Sequence, residues 1–128
     1  MRGILDTSVF IADEEGRALQ HRDLPDEVAV SVVTLAELML GVHKADSDEV
    51  RAKRLATVSA LRSTYVALPV DEPVASAFAE LVAAARRAGR RVKVQDAWIA
   101  ATARAHAVAV YTQDRDFDGL PGVDVVRV

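Results

Sequence analysis

Short apolar runs alternate along the chain with longer stretches in which apolar residues recur every three or four positions. The runs have the length of strands and the stretches have the length of helices. This pattern predicts strands at residues 2–5, 28–30, 66–70, 107–111 and 123–128. It predicts a helix that begins at Ser8, and helices over residues 33–43, 47–63, 72–88 and 96–106. The alternation is typical of an α/β domain with a mostly parallel central sheet flanked by helices.

Residues with capping chemistry precede several of these helices. Asp6 or Thr7 is a suitable N-cap for the first helix, and Ser31 or Thr34 for the second. Asp71 followed by Glu72 and Pro73 predicts the start of the fourth helix, and Gly89 predicts its end. Residues 14–27 are polar and are expected to form a loop.

The length of 128 residues predicts one domain, residues 1–128. The apolar fraction of 51% and the charged fraction of 27% are those of an ordinary globular protein. The absence of cysteine excludes disulfides and thiolate metal sites. No apolar run approaches the ~20 residues that span a bilayer, and Asp6 interrupts any signal-peptide core. We therefore expect a cytoplasmic protein with no membrane association.

Carboxylates occur where the predicted strands end, which is where ligand sites of open parallel sheets lie. Asp6 follows the first strand, and Asp114 and Asp116 follow the fourth. Asp96 opens a helix, and Glu37 sits inside a helix on a largely apolar face. Each aspartate alone is explained by a cap or a turn. A glutamate on an apolar face is costly unless it is paired or binds a cation, so together the acids indicate a shared metal site.

Oxygen ligands without cysteine or a histidine pair suit a hard divalent cation such as Mg²⁺ or Mn²⁺. The three histidines lie at no metal-ligand spacing. Several acids around such a cation are suited to reactions at phosphate, where the metal activates water and offsets charge in the transition state.

Four segments carry a resemblance to a known family. They read Ile4-Leu5-Asp6-Thr7-Ser8, Thr34-Leu35-Ala36-Glu37-Leu38-Met39-Leu40-Gly41, Asp96-Ala97-Trp98-Ile99-Ala100-Ala101-Thr102-Ala103 and Tyr111-Thr112-Gln113-Asp114-Arg115-Asp116-Phe117. In this order and spacing they resemble the four motifs of the PIN-domain ribonucleases, and more narrowly the VapC-type toxins of bacterial toxin–antitoxin pairs. The resemblance covers essentially the whole chain. Each motif is weak alone, and the four in register are highly specific.

The resemblance implies a metal-dependent endoribonuclease in which Asp6, Glu37, Asp96 and Asp114 are catalytic and hold Mg²⁺ or Mn²⁺. Asp116 lies two residues beyond Asp114 and is able to share or replace it as the fourth acid. The resemblance also implies an RNA substrate, a small cognate antitoxin protein and a homodimer. The hydroxyls that would orient the carboxylates or hold a water belong to Thr7, Ser8 and Thr112.

A basic cluster precedes Asp96. It consists of Arg86, Arg87, Arg90, Arg91 and Lys93. The net charge of -3 gives no general signal for nucleic-acid binding, so any such signal must be local. Some of this charge is explained by favourable placement at a helix C-terminus. The remainder is available for RNA phosphates.

Other functions fit less well. A receiver-like Mg²⁺-binding signalling domain also places acids on a parallel sheet. It would need an acidic pair near the end of the first strand and a lysine after a late strand, and this chain has no lysine beyond Lys93. A PIN-like fold that binds RNA without cutting it has no support in the sequence, because all four acids are present. A PIN-type RNA-processing nuclease with a housekeeping role stays an alternative at this stage.

Overall fold

The computed structural model describes residues 2–19 and 24–128. Its five strands are β1 (Arg2–Leu5), β2 (Glu27–Ser31), β3 (Val66–Leu68), β4 (Ala109–Thr112) and β5 (Val125–Arg127). They form one sheet in the order β3-β2-β1-β4-β5. All four pairings are parallel. The prediction of an α/β domain with a mostly parallel sheet is therefore confirmed.

Five α-helices connect these strands. They are α1 (Thr7–Glu14), α2 (Val32–His43), α3 (Asp48–Thr64), α4 (Glu72–Arg87) and α5 (Val94–Ala105), and a 3-10 helix covers Arg115–Phe117. The side chains of Asp6, Ser31, Ser47 and Asp71 cap α1 to α4 by accepting a hydrogen bond from a first-turn amide. Gly89 follows α4 with φ +74°, a conformation that glycine adopts without steric cost.

Alternating residues of the central strands build a core on each face of the sheet. Ile4 and Val110 face the core formed with α4 and α5, where Leu81 and Ile99 are also buried. Their neighbours Leu5 and Tyr111 face the opposite core, which includes Leu61 of α3. A strand whose successive side chains are buried on both faces belongs inside a sheet covered by helices on both sides.

The observed boundaries differ from the predicted ones in a few places. Ala107 has φ 55° and closes α5, so the fourth strand begins at Ala109 rather than at Ala107. The third strand ends at Leu68, short of the predicted Val70. Asp96 lies in the first turn of α5 rather than opening it, since the helix begins at Val94. Residues 20–23 of the predicted loop 14–27, which include His21, lie outside the described residues.

The parallel order brings the carboxyl ends of β1, β2 and β4 to one edge of the sheet. β1 pairs with both of the others, and Leu5 lies opposite Tyr111 in the register of β1 and β4. Asp6 and Thr112 follow these two residues directly, so they meet at that edge. Among the described residues, no helix combines the length and apolar character needed to cross a membrane.

Candidate functional site

Asp6 is held at the sheet edge by a network of hydroxyl groups. Its Oδ2 atom accepts hydrogen bonds from Ser8 Oγ at 2.7 Å and from Thr112 Oγ1 at 2.8 Å. The same oxygen caps α1 by accepting from the Ser8 amide at 3.3 Å. The Gln113 amide donates to Ser8 Oγ at 3.0 Å. Asp6 is therefore an N-cap, as the simplest interpretation of the sequence required, and its orientation is fixed by donors from both ends of the chain.

Glu37 reaches the same region from α2. Its Oε1 atom accepts a hydrogen bond from Thr7 Oγ1 at 2.7 Å. The Thr7 hydroxyl is also 3.1 Å from the fully buried Thr34 Oγ1, three residues before Glu37 on the same face of α2. These contacts tie the first turn of α1 to α2 and hold the Glu37 carboxylate in place.

A second group of carboxylates, here called the acidic cluster, consists of Asp96, Asp114 and Asp116. Each offers an oxygen, and the three oxygens lie within 4.8 Å of one another. Asp96 comes from the first turn of α5. Asp114 caps the 3-10 helix by accepting from the Asp116 amide at 2.9 Å, and its own amide donates to Thr112 Oγ1 at 2.8 Å. Thr112 thus contacts both Asp6 and the segment that carries Asp114.

One cleft of about 260 Å³ joins these groups, and we call it the acidic cleft. Its lining comprises Asp6, Thr7, Ser8, Ile11, Glu37, Lys93, Gln95, Asp96 and Asp114. Four of the predicted site carboxylates therefore share one cavity. Asp116 does not line it but belongs to the acidic cluster at its edge, where its Oδ2 pairs with Lys93 Nζ at 2.9 Å. This pairing makes Asp116 a less available ligand than Asp114.

Burial and mutual repulsion raise the pKa values of two acids of the cleft. Burial, followed by the charges of Asp6, Asp114 and Asp116, raises the pKa of Asp96 to about 7, while Lys93 opposes the rise. Burial also raises the pKa of Glu37, with a further rise from Asp6 and an opposing effect of the hydrogen bond from Thr7. The hydrogen bond to Asp116 raises the pKa of Lys93. A cation in the cleft would relieve this repulsion.

The donor set fits a divalent metal ion. Among the described residues, Asp96 Oδ2 is buried without a hydrogen-bond partner. Burying such an oxygen costs free energy unless a ligand supplies the missing contact. The surrounding groups are carboxylates and hydroxyls, which are the ligands that hard divalent cations prefer. The cleft is therefore able to hold a metal ion.

The basic cluster divides into parts with different surroundings. Lys93 lines the acidic cleft, whereas Arg86, Arg90 and Arg91 line a separate open cavity of about 600 Å³ at the end of α4. Arg87 is exposed in the last turn of α4. Arg90 differs from its neighbours because its guanidinium donates to the backbone carbonyls of Asp116 and Asp118.

Three residues at the site were not predicted from the sequence to belong to it. Thr34 was considered only as an alternative cap for α2, a position that Ser31 occupies. Its spacing of three residues from Glu37 is a signal that points to the contact with Thr7. Ile11 and Gln95 line the cleft through helix geometry, and no pattern in the sequence distinguishes them from other surface residues.

Comparison with known proteins agrees with the fold. The family described as the PIN domain matches residues 3–123, and the chain belongs to this family. The resemblance noted in the sequence is thereby confirmed.

Several relatives carry the narrower name VapC. Ribonuclease VapC5 of Mycobacterium tuberculosis is 48% identical over 129 residues, which cover 98% of this chain and 95% of that protein. Ribonuclease VapC4 of the same species is 46% identical over 99% of this chain and 97% of its own length. The crystal structure of VapBC-5, a member of the VapBC family of toxin-antitoxin systems from Mycobacterium tuberculosis, matches with a TM-score of 0.91 and 45% identity. That match covers 99% of this chain and 98% of the chain in the crystal structure.

Proposed function

We propose that this protein is a metal-dependent endoribonuclease that hydrolyses RNA phosphodiester bonds and acts as the toxin of a toxin–antitoxin pair. The observation that carries the proposal is the acidic cleft, which is lined by acids from four parts of the chain. One of them, Asp96, has a buried carboxylate oxygen without a partner among the described residues. The 48% identity to Ribonuclease VapC5 supports RNA as the substrate. The 45% identity to the VapBC-5 structure, a member of a family of toxin-antitoxin systems, favours a toxin over a housekeeping RNA-processing nuclease.

Asp6, Glu37, Asp96 and Asp114 are the residues that would hold Mg²⁺ or Mn²⁺, with Asp116 at the edge of the site. When bound, such a cation supplies an activated water and offsets the negative charge that develops on the phosphodiester. The raised pKa values of Asp96 and Glu37 support this assignment, because buried carboxylates that also lie near other acids hold protons more tightly in the absence of a cation.

The hydroxyls of the cleft orient carboxylates rather than attack the substrate. Ser8 Oγ and Thr112 Oγ1 donate to Asp6, and Thr7 Oγ1 donates to Glu37. A hydroxyl that donates its proton to a carboxylate in this way positions that group. Within residues 2–19 and 24–128, none of the three is paired with a histidine or lysine base of the kind that activates a nucleophile. Hydrolysis by water without a covalent enzyme intermediate is therefore the reaction that the site supports.

Cationic residues beside the cleft would bind RNA phosphates on either side of the reacting bond. Lys93 lines the cleft itself, and Arg86 and Arg91 line the neighbouring cavity. Arg87 extends this basic surface along α4. Phosphate contacts of this kind provide affinity and position the backbone without reading sequence.

The partner that we propose is a small antitoxin protein. Large apolar side chains are exposed on α2 and α3, including Leu40 at 53% and Leu55 at 52%. Exposed apolar residues that lie together indicate a protein interface. The similar VapBC-5 structure is that of a member of a toxin-antitoxin family. This supports an antitoxin as the partner that covers the exposed side chains of α2 and α3. We propose further that the chain forms a homodimer and that it acts on RNA in the cytoplasm.

RNA cleavage with and without metal tests the proposal. Purified protein is expected to cut structured RNA in Mg²⁺ or Mn²⁺ and to stop when EDTA removes the metal. Asp96→Asn is expected to abolish cutting. Asp46→Asn makes the same chemical change at an exposed acid remote from the cleft and is expected to leave it intact. Undiminished cutting in EDTA would exclude the metal mechanism.

A further inference from the structure

Arg90 lies between the two segments that bring the acidic cluster together. It follows Gly89 at the end of α4, and its amide donates to the Ala85 carbonyl at 2.9 Å, which fixes its backbone to that helix. Six residues later the chain reaches Asp96 in α5. The other two acids of the cluster, Asp114 and Asp116, lie on the segment across from it.

The Arg90 side chain crosses to that segment. Its Nη2 donates to the Asp116 carbonyl at 2.7 Å, and its Nη1 donates to the Asp118 carbonyl. A guanidinium presents its N–H groups in a planar fork, so one side chain holds two carbonyls in a defined orientation. Both bonds fall on the turn that begins at Asp114.

No carboxylate is paired with Arg90 in these contacts, and its two terminal nitrogens are already engaged by backbone. An arginine that served mainly to bind RNA would keep these donors available for phosphate, whereas Arg91 and Arg87 are exposed to solvent. Arg90 also does not line the acidic cleft.

We propose that Arg90 is a positioning residue for the metal site, and that it sets the distance between Asp96 and the Asp114–Asp116 pair by clamping the 3-10 turn to the end of α4. This inference rests on the proposed metal-dependent function. It separates Arg90 from the other members of the basic cluster, whose contacts would be with substrate.

Other contacts also hold the 3-10 turn in place, so the fold is expected to survive loss of the hydrogen bonds from Arg90. Phe117 is fully buried in the core between the sheet and α4 and α5. The Asp118 carboxylate accepts two bonds from Arg127 Nη2, at 2.7 and 2.8 Å. Removing Arg90 therefore loosens the backbone near Asp116 without releasing the segment from the core.

Mn²⁺ binding, followed by electron paramagnetic resonance of the free ion, tests the inference on the intact protein. Changes to residues that orient metal ligands typically weaken metal affinity about 10–100-fold. Arg90→Ala is expected to raise the Kd for Mn²⁺ at least about tenfold. The Kd of Arg90→Lys for Mn²⁺ is expected to lie between those of the unchanged protein and Arg90→Ala, because a single ammonium group replaces the planar guanidinium. Arg62→Ala, an equal loss of charge at an exposed arginine in the last turn of α3, is the matched control and is expected to leave the Kd unchanged.

RNA cleavage separates positioning from substrate binding. With Arg90→Ala, raising the Mn²⁺ concentration is expected to recover most of the kcat, while the KM for RNA stays near that of the unchanged protein. A Kd for Mn²⁺ within twofold of the unchanged protein in both Arg90 variants overturns the inference, as does a rise in KM alone. If the unchanged protein binds no Mn²⁺, the proposed function itself fails, and the inference fails with it.

Discussion

The raised pKa of Asp96 makes the stability of the metal-free protein depend on pH. Its carboxyl has a pKa of about 7 in the folded protein, against an ordinary value of 3.8. Between these values the folded state binds a proton that the unfolded state has lost. Raising the pH through this range therefore destabilises the fold, and the loss is complete once the pH passes the folded pKa.

The size of this effect follows from the two pKa values. Between pH 5 and pH 8 they set an upper limit of roughly 2.6 kcal/mol on the loss of unfolding free energy. The cleft is open to water and salt, which screen the repulsion among its acids, so about half of this limit, ~1.3 kcal/mol, is the expected loss. For a domain of this length that corresponds to about 5 °C in Tm.

Thermal unfolding in EDTA at pH 5 and pH 8 measures the effect, with Asp96→Asn as the comparison. An amide cannot ionise, so the variant is expected to gain stability over the unchanged protein by ~1.3 kcal/mol as the pH rises. Titrating groups that Asp96 does not influence contribute equally to both proteins and cancel. Parallel pH curves for the two proteins would refute the argument that burial and the neighbouring acids raise the pKa of Asp96.

Adding Mn²⁺ provides the reverse experiment. A metal bound by Asp96 requires the ionised carboxylate, so the stabilisation by Mn²⁺ is expected to increase from pH 5 to pH 8 in the unchanged protein. Asp96→Asn is expected to gain much less at either pH. Equal gains for the two proteins would remove Asp96 from the metal site.

Three further predictions concern individual side chains. Glu37→Gln is expected to lower RNA cleavage by more than tenfold, about 1.4 kcal/mol in the barrier, because a metal-binding charge is lost at constant size; the exposed Glu49→Gln is its control, and near-normal cleavage would make Glu37 a bystander. Asp114→Asn is expected to cost more activity than Asp116→Asn, since Asp114 lines the cleft while Asp116 pairs with Lys93; assays of both variants at several Mn²⁺ concentrations decide, and the opposite order would make Asp116 the fourth ligand. Arg86→Ala with Arg91→Ala is expected to reduce the slope of log affinity for RNA against log salt by roughly 0.7–0.9 for each lost contact; an unchanged slope would assign these arginines to capping of α4.

The fold and the location of the acids are accessible from the sequence because they rest on local patterns. The alternation of runs and helical stretches predicts a parallel sheet, and a parallel sheet brings strand ends to one edge. Asp6 follows β1 directly and Asp114 follows β4 after one intervening residue, so their convergence needs only the strand order. Glu37 stands out because a charge on an apolar helix face needs an explanation.

Other features depend on tertiary packing that no local pattern encodes. The sequence presents Arg90 as one of five similar cations, and only the position of the 3-10 turn gives it backbone partners. In α3, apolar residues recur along the helix at Val50, Leu55, Val58 and Leu61, yet the first two are exposed and the last two are buried. Tertiary packing, and not the pattern itself, decides which of these residues reach the core.

The bond between Thr112 and Asp6 joins residues 106 positions apart, across a sheet in which β1 lies beside β4. During synthesis, the first strand leaves the ribosome long before its neighbour exists. The carboxylate of Asp6 gains its second hydroxyl donor, and the third and fourth acids join it, only after nearly the whole chain has been translated. A ribonuclease built in this order is inert as a nascent chain, beside the ribosomal RNA from which it emerges. A gene truncated before the fourth strand would encode a product without nuclease activity.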